Sequence, residues 1–186
     1  MKWSLLILTQ PSRVDFLSRL LEVLEPQIKG YQDIELAVKT NDTSISLGEN
    51  RQDLLDSANG SYVNFIDDDD LVAEDYVEQI YPNLSSVDYI GFQLQLYIDG
   101  NPQKPTYHSL EYDSWWEDNK GYYRDLSHLN PIRKDLASTV KLSGGDGEDS
   151  RWASALRAKK IIKTQHYVDS IMYHYYFRTN KIDGVI

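Results

Sequence analysis

SYVNFIDDDD, residues 61–70, runs an apolar segment directly into four consecutive aspartates. Ser61 to Ile66 has the aromatic and β-branched content of a short buried strand, and Gly60 punctuates the chain just before it. Carboxylates at the end of a buried strand are costly unless something neutralises them. The flanking segments decide what kind of strand this is. Lys2 to Thr9 (KWSLLILT) is a β-rich apolar run broken by Pro11 and Ser12, and VDFLSRLLEVLE then places apolar residues at 14, 17, 20, 21 and 24, a helical stripe. Ile34 to Lys39 (IELAVK) predicts a second strand, TNDTSISLG a polar loop, and ENRQDLLDSANG a helix closed by Gly60. Strands alternating with helices predict a parallel α/β sheet with right-handed crossovers. The acidic run then stands at the carboxyl edge of the sheet, where ligands bind in such folds.

The second half differs in character. Val87 to Ile98 (VDYIGFQLQLYI) predicts a long central or mixed-sheet strand followed by a DGNPQ turn. YDSWWEDNKGYYRDL is rich in Trp and Tyr and carries no clear period. NPIRKDLAS predicts a short helix from about Pro131, SGGDGED a flexible loop, DSRWASALRAKK a helix and HYVDSIMYHYYFR a closing aromatic strand.

At 186 residues, 41% hydrophobic and 12% aromatic, the chain predicts one folded domain, 1–186, with a core of its own. The net charge of −10 argues against a broad nucleic-acid or anionic-membrane surface. Arg157, Lys159, Lys160 and Lys163 are the dense basic cluster, read either as a local patch or as the solvated end of a helix. With no cysteine, disulfides, thiolate catalysis and Cys-type zinc sites are excluded. The N-terminal apolar run LLIL is too short for a signal-peptide core, and no stretch approaches the roughly twenty apolar residues of a membrane span. A cytoplasmic protein is the expectation.

Two readings of the four aspartates stand side by side. One is capping of a helix that starts near Leu71, with the remaining charge on the surface. The other is a divalent cation, because adjacent carboxylates repel unless a cation or donors intervene. An EF-hand is excluded, since Leu71 and Val72 would take its fifth and sixth positions, the latter needing Gly. A few carboxylates at the ligand edge of an α/β sheet suit Mg²⁺ or Mn²⁺ bridging a nucleotide diphosphate.

The stretch GENRQDLLDSANGSYVNFIDDDDLV resembles the core of the family 2 glycosyltransferases of the GT-A fold, with an Arg/Asn-bearing helix, an A-x-G turn and a strand ending in D-x-D-D. The resemblance implies a Rossmann-like three-layer fold with a mainly parallel central sheet. It also implies a metal-dependent inverting transfer of a sugar from a UDP-sugar to an acceptor hydroxyl, with Mn²⁺ or Mg²⁺ as cofactor. Asp67, Asp68 and Asp69 match the D-x-D motif, the first near the nucleoside and the last on the metal. LLILTQPSR, with Thr9, is similar to the first strand and its nucleotide-contacting loop, and LAVKTNDTS to the second strand, ending at Asp42 near the uracil. GGDGEDSRW resembles the E-D motif, which makes Asp149 the base and Glu148 the residue that orients it or touches the acceptor. MYHYYF resembles the closing strand, where His174 would join the metal or else be a packed, hydrogen-bonded residue of an aromatic strand, with His166 behind it and His108 and His128 further behind. Asn41-Asp42-Thr43-Ser44 stands where the family has Asp-Asp-x-Ser, and Asn50-Arg51 where it has Arg-Asn.

Several residues keep a second reading. Asp149 would otherwise cap the helix that follows it. Arg51 either contacts the diphosphate or base, or pairs on the surface with Asp53 or Glu49. Gly144, Gly145 and Gly147 suit a loop that moves over the donor, or an ordinary turn. Trp115, Trp116, Tyr112, Tyr122 and Tyr123 either stack on a sugar or other planar acceptor or pack in the core, and Arg133 is acceptor-binding or structural. The acceptor itself stays open among a glycan, a protein, a lipid-linked sugar and a modified base. The competing functions are a sugar-phosphate nucleotidyltransferase, disfavoured because LTQPSR lacks the Gly-rich loop, and a non-catalytic GT-A-like module that binds nucleotide sugar or glycan.

Overall fold

The structure, a computed structural model, describes residues 1–179. Strand β1 (Trp3–Thr9) is buried almost throughout, as a parallel strand covered on both faces must be. Helix α1 (Val14–Ile28) follows it, and β2 (Ile34–Thr40) pairs in parallel along its whole length, Trp3 opposite Ile34 and Thr9 opposite Thr40. Helix α2 (Leu47–Ser57) opens with a capping box: Ser46 receives the Glu49 N–H, and the Glu49 carboxylate receives that of Ser46. Strand β3 (Tyr62–Phe65) lies parallel on the other side of β1.

Beyond β3 come β4 (Leu71–Val72), α3 (Tyr76–Ile80), β5 (Tyr89–Ile98) and β6 (Asn101–His108), the last two an antiparallel hairpin. They are followed by β7 (Trp116–Glu117), β8 (Tyr122–Arg124), β9 (Ile132–Arg133), α4 (Lys134–Ala137), α5 (Glu148–Ala158) and β10 (Gln165–Phe177). The sheet runs β2-β1-β3-β9-β5-β6-β8-β7, with β10 parallel to β5 and antiparallel to β4. It is parallel at β2-β1-β3 and mixed beyond.

Alternation along β1 divides the core. Trp3, Leu5 and Ile7 face Leu20 and Leu24 of α1 and Tyr76 of α3, whereas Leu6 faces the layer of Leu54, Leu55, Trp152 and Leu156 from α2 and α5. Helices on both faces of the sheet give the expected three layers. No helix among the described residues is long and apolar enough to cross a membrane.

The structure corrects three local expectations and assigns one segment that the sequence left open. Gly60 does not close α2, whose C-cap is Ala58; a Cβ on Gly60 would lie 2.5 Å from the Ser4 nitrogen, so glycine is needed where the chain crosses β1. NPIRKDLAS does not begin as a helix. Ile132 and Arg133 bridge β3 and β5, because the Ile90 N–H donates to Pro131 and the Arg133 N–H to Asp88, and the helix is confined to Lys134–Ala137. Leu71 opens strand β4 rather than a helix, so the aspartates cap nothing; the next helix starts at Tyr76. The Trp- and Tyr-rich segment forms the β7–β8 hairpin, its turn held by Asp118 accepting from the N–H groups of Lys120 and Gly121.

His108 gives the core a pH dependence. It is buried, stacked on Phe92, with Nδ1 2.7 Å from the Asn130 Oδ1. Burial pushes its imidazole down to about 4, although the Asn130 hydrogen bond opposes the shift. The unfolded chain takes up this proton near the ordinary value of about 6.5. Stability is therefore lost as pH falls from there toward 4, by about 2 kcal/mol at pH 4.5. Urea unfolding of the wild type and of His108→Gln at pH 7 and 4.5 checks this: the variant should lose that part of the pH slope.

Candidate active site

The acidic run leaves β3 at the carboxyl edge of the parallel strands, and each aspartate has its own partners. The Asp67 carboxylate accepts from Nη2 of Arg51 at 2.6 Å, and its backbone N–H donates to the Tyr173 hydroxyl at 3.0 Å. Asp68, 1% exposed, accepts from Thr9 Oγ1 and Arg13 Nη1, both at 2.7 Å. Asp70 accepts from the Tyr173 hydroxyl at 2.9 Å and the Tyr176 N–H at 2.8 Å. Asp69 alone is held loosely, by Arg13 at 3.6 Å and Arg178 at 3.4 Å.

Burial works against ionisation of Asp67, but Arg51, with His128 and Arg13 adding to it, holds its carboxyl well below the usual range. Burial and the Asp67 charge push Asp70 well above that range. Burial also pushes Asp69 up; Arg13 pulls against it, and the charges of Asp67 and Asp68 add to the rise.

Arg51 is buried, not on the surface with Asp53 or Glu49. Its second nitrogen, Nη1, donates to Glu148 Oε1 at 2.5 Å, so the guanidinium bridges the end of β3 to the start of α5. Glu148 is thereby committed to Arg51 and does not orient Asp149. Asp149, in the first turn of α5, does not cap the helix, whose N-cap is Gly147. Its side chain is 29% exposed and places Oδ2 3.3 Å from Nδ1 of His128. The loop before α5 is tied, not loose: the Gly48 N–H donates to Gly144 O at 2.8 Å, and Arg151 donates to the carbonyls of Gly145 and Asp146, each at 2.9 Å.

Asp67, His128 and Asp149 open on one cavity of about 410 Å³, floored by Leu94, Leu96 and Tyr175 and bounded by Trp115, Tyr122 and Arg124. Trp115 and Trp116 are 55% and 44% exposed, not core residues. Trp116 stacks on Tyr123 at 3.8 Å, and the Arg124 guanidinium lies over Trp115 at 4.8 Å.

Other predicted residues stand elsewhere. Asp42, at the end of β2, closes its own turn by accepting from the Ser44 N–H and hydroxyl, which lower its pKa, while the buried Asn50 side chain pairs with its backbone. Arg133 pairs with Asp88 and Asp135 at the opposite edge of the sheet, and His166 lies in register with Ile90 near the start of β10. His174 is not brought to the acidic run. Strand alternation puts it on the face opposite Tyr173 and Tyr175, where its Nδ1 lies 3.4 Å from the Tyr97 hydroxyl. Among the described residues no three of His, Cys, Asp and Glu converge on a cation position. Mg²⁺ and Mn²⁺ sites built on one or two carboxylates plus substrate phosphates need no such cage. The loosely held Asp69 carboxylate fits that role, and His174 does not.

Arg13, Arg178 and Tyr173 also reach the aspartates, and His128, a distant metal candidate in the sequence, stands between Asp67 and Asp149. The signal for Arg13 lay in LLILTQPSR, a cation in the loop leaving the first strand; the other three are defined by distant partners.

Residues 17–141 match the sequence profile of a family described as Glycosyl transferase family 2, which is well over half of the chain. The chain belongs to this family. The matched span contains the aspartates at 67–70 and ends before α5 and Asp149. Solved structures with a similar fold include S. aureus TarS 1–349 in complex with UDP-GlcNAc, at TM-score 0.69 and 17% identity over 100% of this chain and 62% of that one. They also include S. aureus TarS, at 0.66 and 16% over 95% and 37%, and TarS 1–349 in complex with UDP, at 0.61 and 18% over 95% and 60%. The family 2 chain thus spans less than two thirds of the length of these structures. No curated protein gives a significant sequence match.

Arg51 is expected to be the most sensitive polar position. Arg51→Ala leaves Asp67 and Glu148 facing each other without their cation and should destabilise by about 3–5 kcal/mol. Arg51→Lys should recover only part of this, since one ammonium cannot reproduce the two-armed bridge. Urea unfolding of both variants at pH 7 measures the difference.

Proposed function

We propose that this chain is a metal-dependent inverting glycosyltransferase, working as one GT-A domain in the cytoplasm, that moves a sugar from a UDP-sugar to an acceptor hydroxyl. Family membership supports glycosyl transfer, and the TarS structures with UDP-GlcNAc and UDP support the donor class. The observation that carries the reading is the convergence of Asp67, from the end of β3, and Asp149, from α5, on one cavity.

Asp149 takes the acceptor proton. Among the described residues no guanidinium lies within ion-pair distance of it, so its carboxylate is free to act as a base. One such carboxylate suits direct displacement with inversion. On the leaving-group side, Arg13 and Arg178 flank Asp69 and are placed to meet the diphosphate. Asp69 would hold Mn²⁺ or Mg²⁺, which when bound offsets charge on the departing diphosphate. Asp67 and Asp68, fixed by Arg51 and Thr9, shape the nucleoside side, with Asp42 at the neighbouring strand end. The aromatic wall at Trp115 and Tyr122 faces the acceptor.

Thermal unfolding with UDP tests the reading. At about a hundred times its dissociation constant UDP should stabilise by about 2.7 kcal/mol, raising the midpoint by roughly 5–10 °C. The shift should need Mn²⁺ or Mg²⁺, vanish with EDTA and be much reduced in Asp69→Asn. No shift with UDP under any metal condition would overturn the proposal.

A further inference from the structure

We propose that His128 is the positioning residue for Asp149, fixing through its Nδ1–H which oxygen the carboxylate presents to the acceptor; this rests on Asp149 being the base. His128 lies between β8 and β9, and its carbonyl accepts the Phe65 N–H at 2.9 Å, which roots the residue on the last residue of β3. The ring packs against Phe65 and its side chain is 7% exposed. From there the imidazole reaches two carboxylates. Nδ1 is 3.3 Å from Asp149 Oδ2, and Nε2 is 3.7 Å from Asp67 Oδ2, beyond hydrogen-bond range. Nε2 is buried and has no hydrogen-bond partner among the described residues.

Asp149 needs such a partner. Its neighbour Glu148 is taken by Arg51, and among the described residues no arginine pairs with Asp149 itself. A carboxylate in the first turn of a helix, partly exposed, rotates freely unless a donor holds one oxygen. An N–H on Nδ1 holds Oδ2 and leaves Oδ1 directed to the cavity, where an acceptor hydroxyl would give up its proton. The 3.3 Å contact is not a formed hydrogen bond in this structure, and ligand-free catalytic contacts often align and tighten only when substrate is bound. The same ring stands between the base and Asp67, so the two ends of the reaction share one rigid support.

Three substitutions separate positioning from space filling. His128→Asn keeps a donor where Nδ1 stands, His128→Gln keeps one where Nε2 stands, and His128→Phe keeps only the ring. Activity is read as UDP release from UDP-GlcNAc with Mn²⁺ and water as the acceptor. His128→Gln and His128→Phe should lower kcat on the order of a hundredfold, the penalty of a misplaced group. KM for the donor and the UDP-induced thermal shift should not change. His128→Asn should recover most of the loss. Equal activity in the Gln and Asn variants would overturn the proposal.

A second readout needs no turnover. Long-range ¹H–¹⁵N spectra of the four histidines, with His128 assigned by its absence from the variants, should show a hydrogen on Nδ1 whose resonance moves in Asp149→Asn. A bare Nδ1 would overturn the inference even if the donor reading holds. A protonated Nδ1 in a protein that UDP does not stabilise would support the contact while the donor reading alone fails.

Discussion

Arg51 sits between Asp67 and Glu148, and the places of these two and of Asp149 follow from that bridge. It joins three elements that are far apart in sequence: α2, the end of β3 and the start of α5. A buried guanidinium is tolerated only when its charge is met from both sides, and burial is the largest influence on it. Because the two carboxylates satisfy it, Asp67 stays ionised and Glu148 is held against the guanidinium. Successive helical residues diverge by about 100°, so fixing Glu148 inward turns Asp149 toward the cavity. The different orientations of two adjacent acidic residues are thus a consequence of helix geometry and one cation.

The four aspartates divide in a similar way. Asp68 anchors the loop after β1 through Thr9 and Arg13, and Asp70 anchors β10 through Tyr173 and the Tyr176 N–H. The Tyr173 hydroxyl serves two aspartates at once, receiving the Asp67 N–H and donating to Asp70. These bonds explain why so much charge is stable at a strand end without a helix to cap. Asp69 is left over. Six carboxyls, at 67, 68, 69, 70, 148 and 149, stand around three guanidiniums, at 13, 51 and 178, and Asp69 is the carboxylate with the longest ion-pair contacts. Asp69 keeps the least engaged carboxylate of the four, its neighbours being held by shorter contacts.

Elements with a strong period were legible in the sequence. The stripe of α1, the runs of β1, β2 and β3 and the alternating β5 appear where periodicity put them, because their burial is decided by their own residues. Strand β9 was not legible. Pro131 is a local helix-start cue, whereas the bonds that make Ile132 and Arg133 a strand come from Asp88 and Ile90. The acidic run was conspicuous, but its partners Arg178 and Tyr173 lie more than a hundred residues on. His174 was misplaced for a related reason. Period two assigns residues to faces of a strand, and only the pairing of β10 with β4 and β5 decides which face meets the aspartates. His128 has no period at all; a histidine in a connecting segment acquires meaning only from what it touches, here Phe65, Asp67 and Asp149.

Asp149 lies beyond the span that matches the family profile, so its assignment depends on how α5 is held. Three independent ties hold it: Arg51 to Glu148, Gly48 to the Gly144 carbonyl, and Trp152 and Leu156 packed beneath β1 and β3. Two of them start on α2, the helix that itself leads into β3. A shift of α5 would have to break a buried ion pair, a backbone hydrogen bond and core packing together. Asp149 therefore keeps its distance from Asp67 through the same contacts that stabilise the fold. The aromatic wall opposite is held by other means, with the Arg124 guanidinium over the rings of both Trp115 and Tyr122. The cavity is thus bounded by a charged wall set by ion pairs and an aromatic wall set by Arg124. Only the rotation of the Asp149 carboxylate is left for His128 to control.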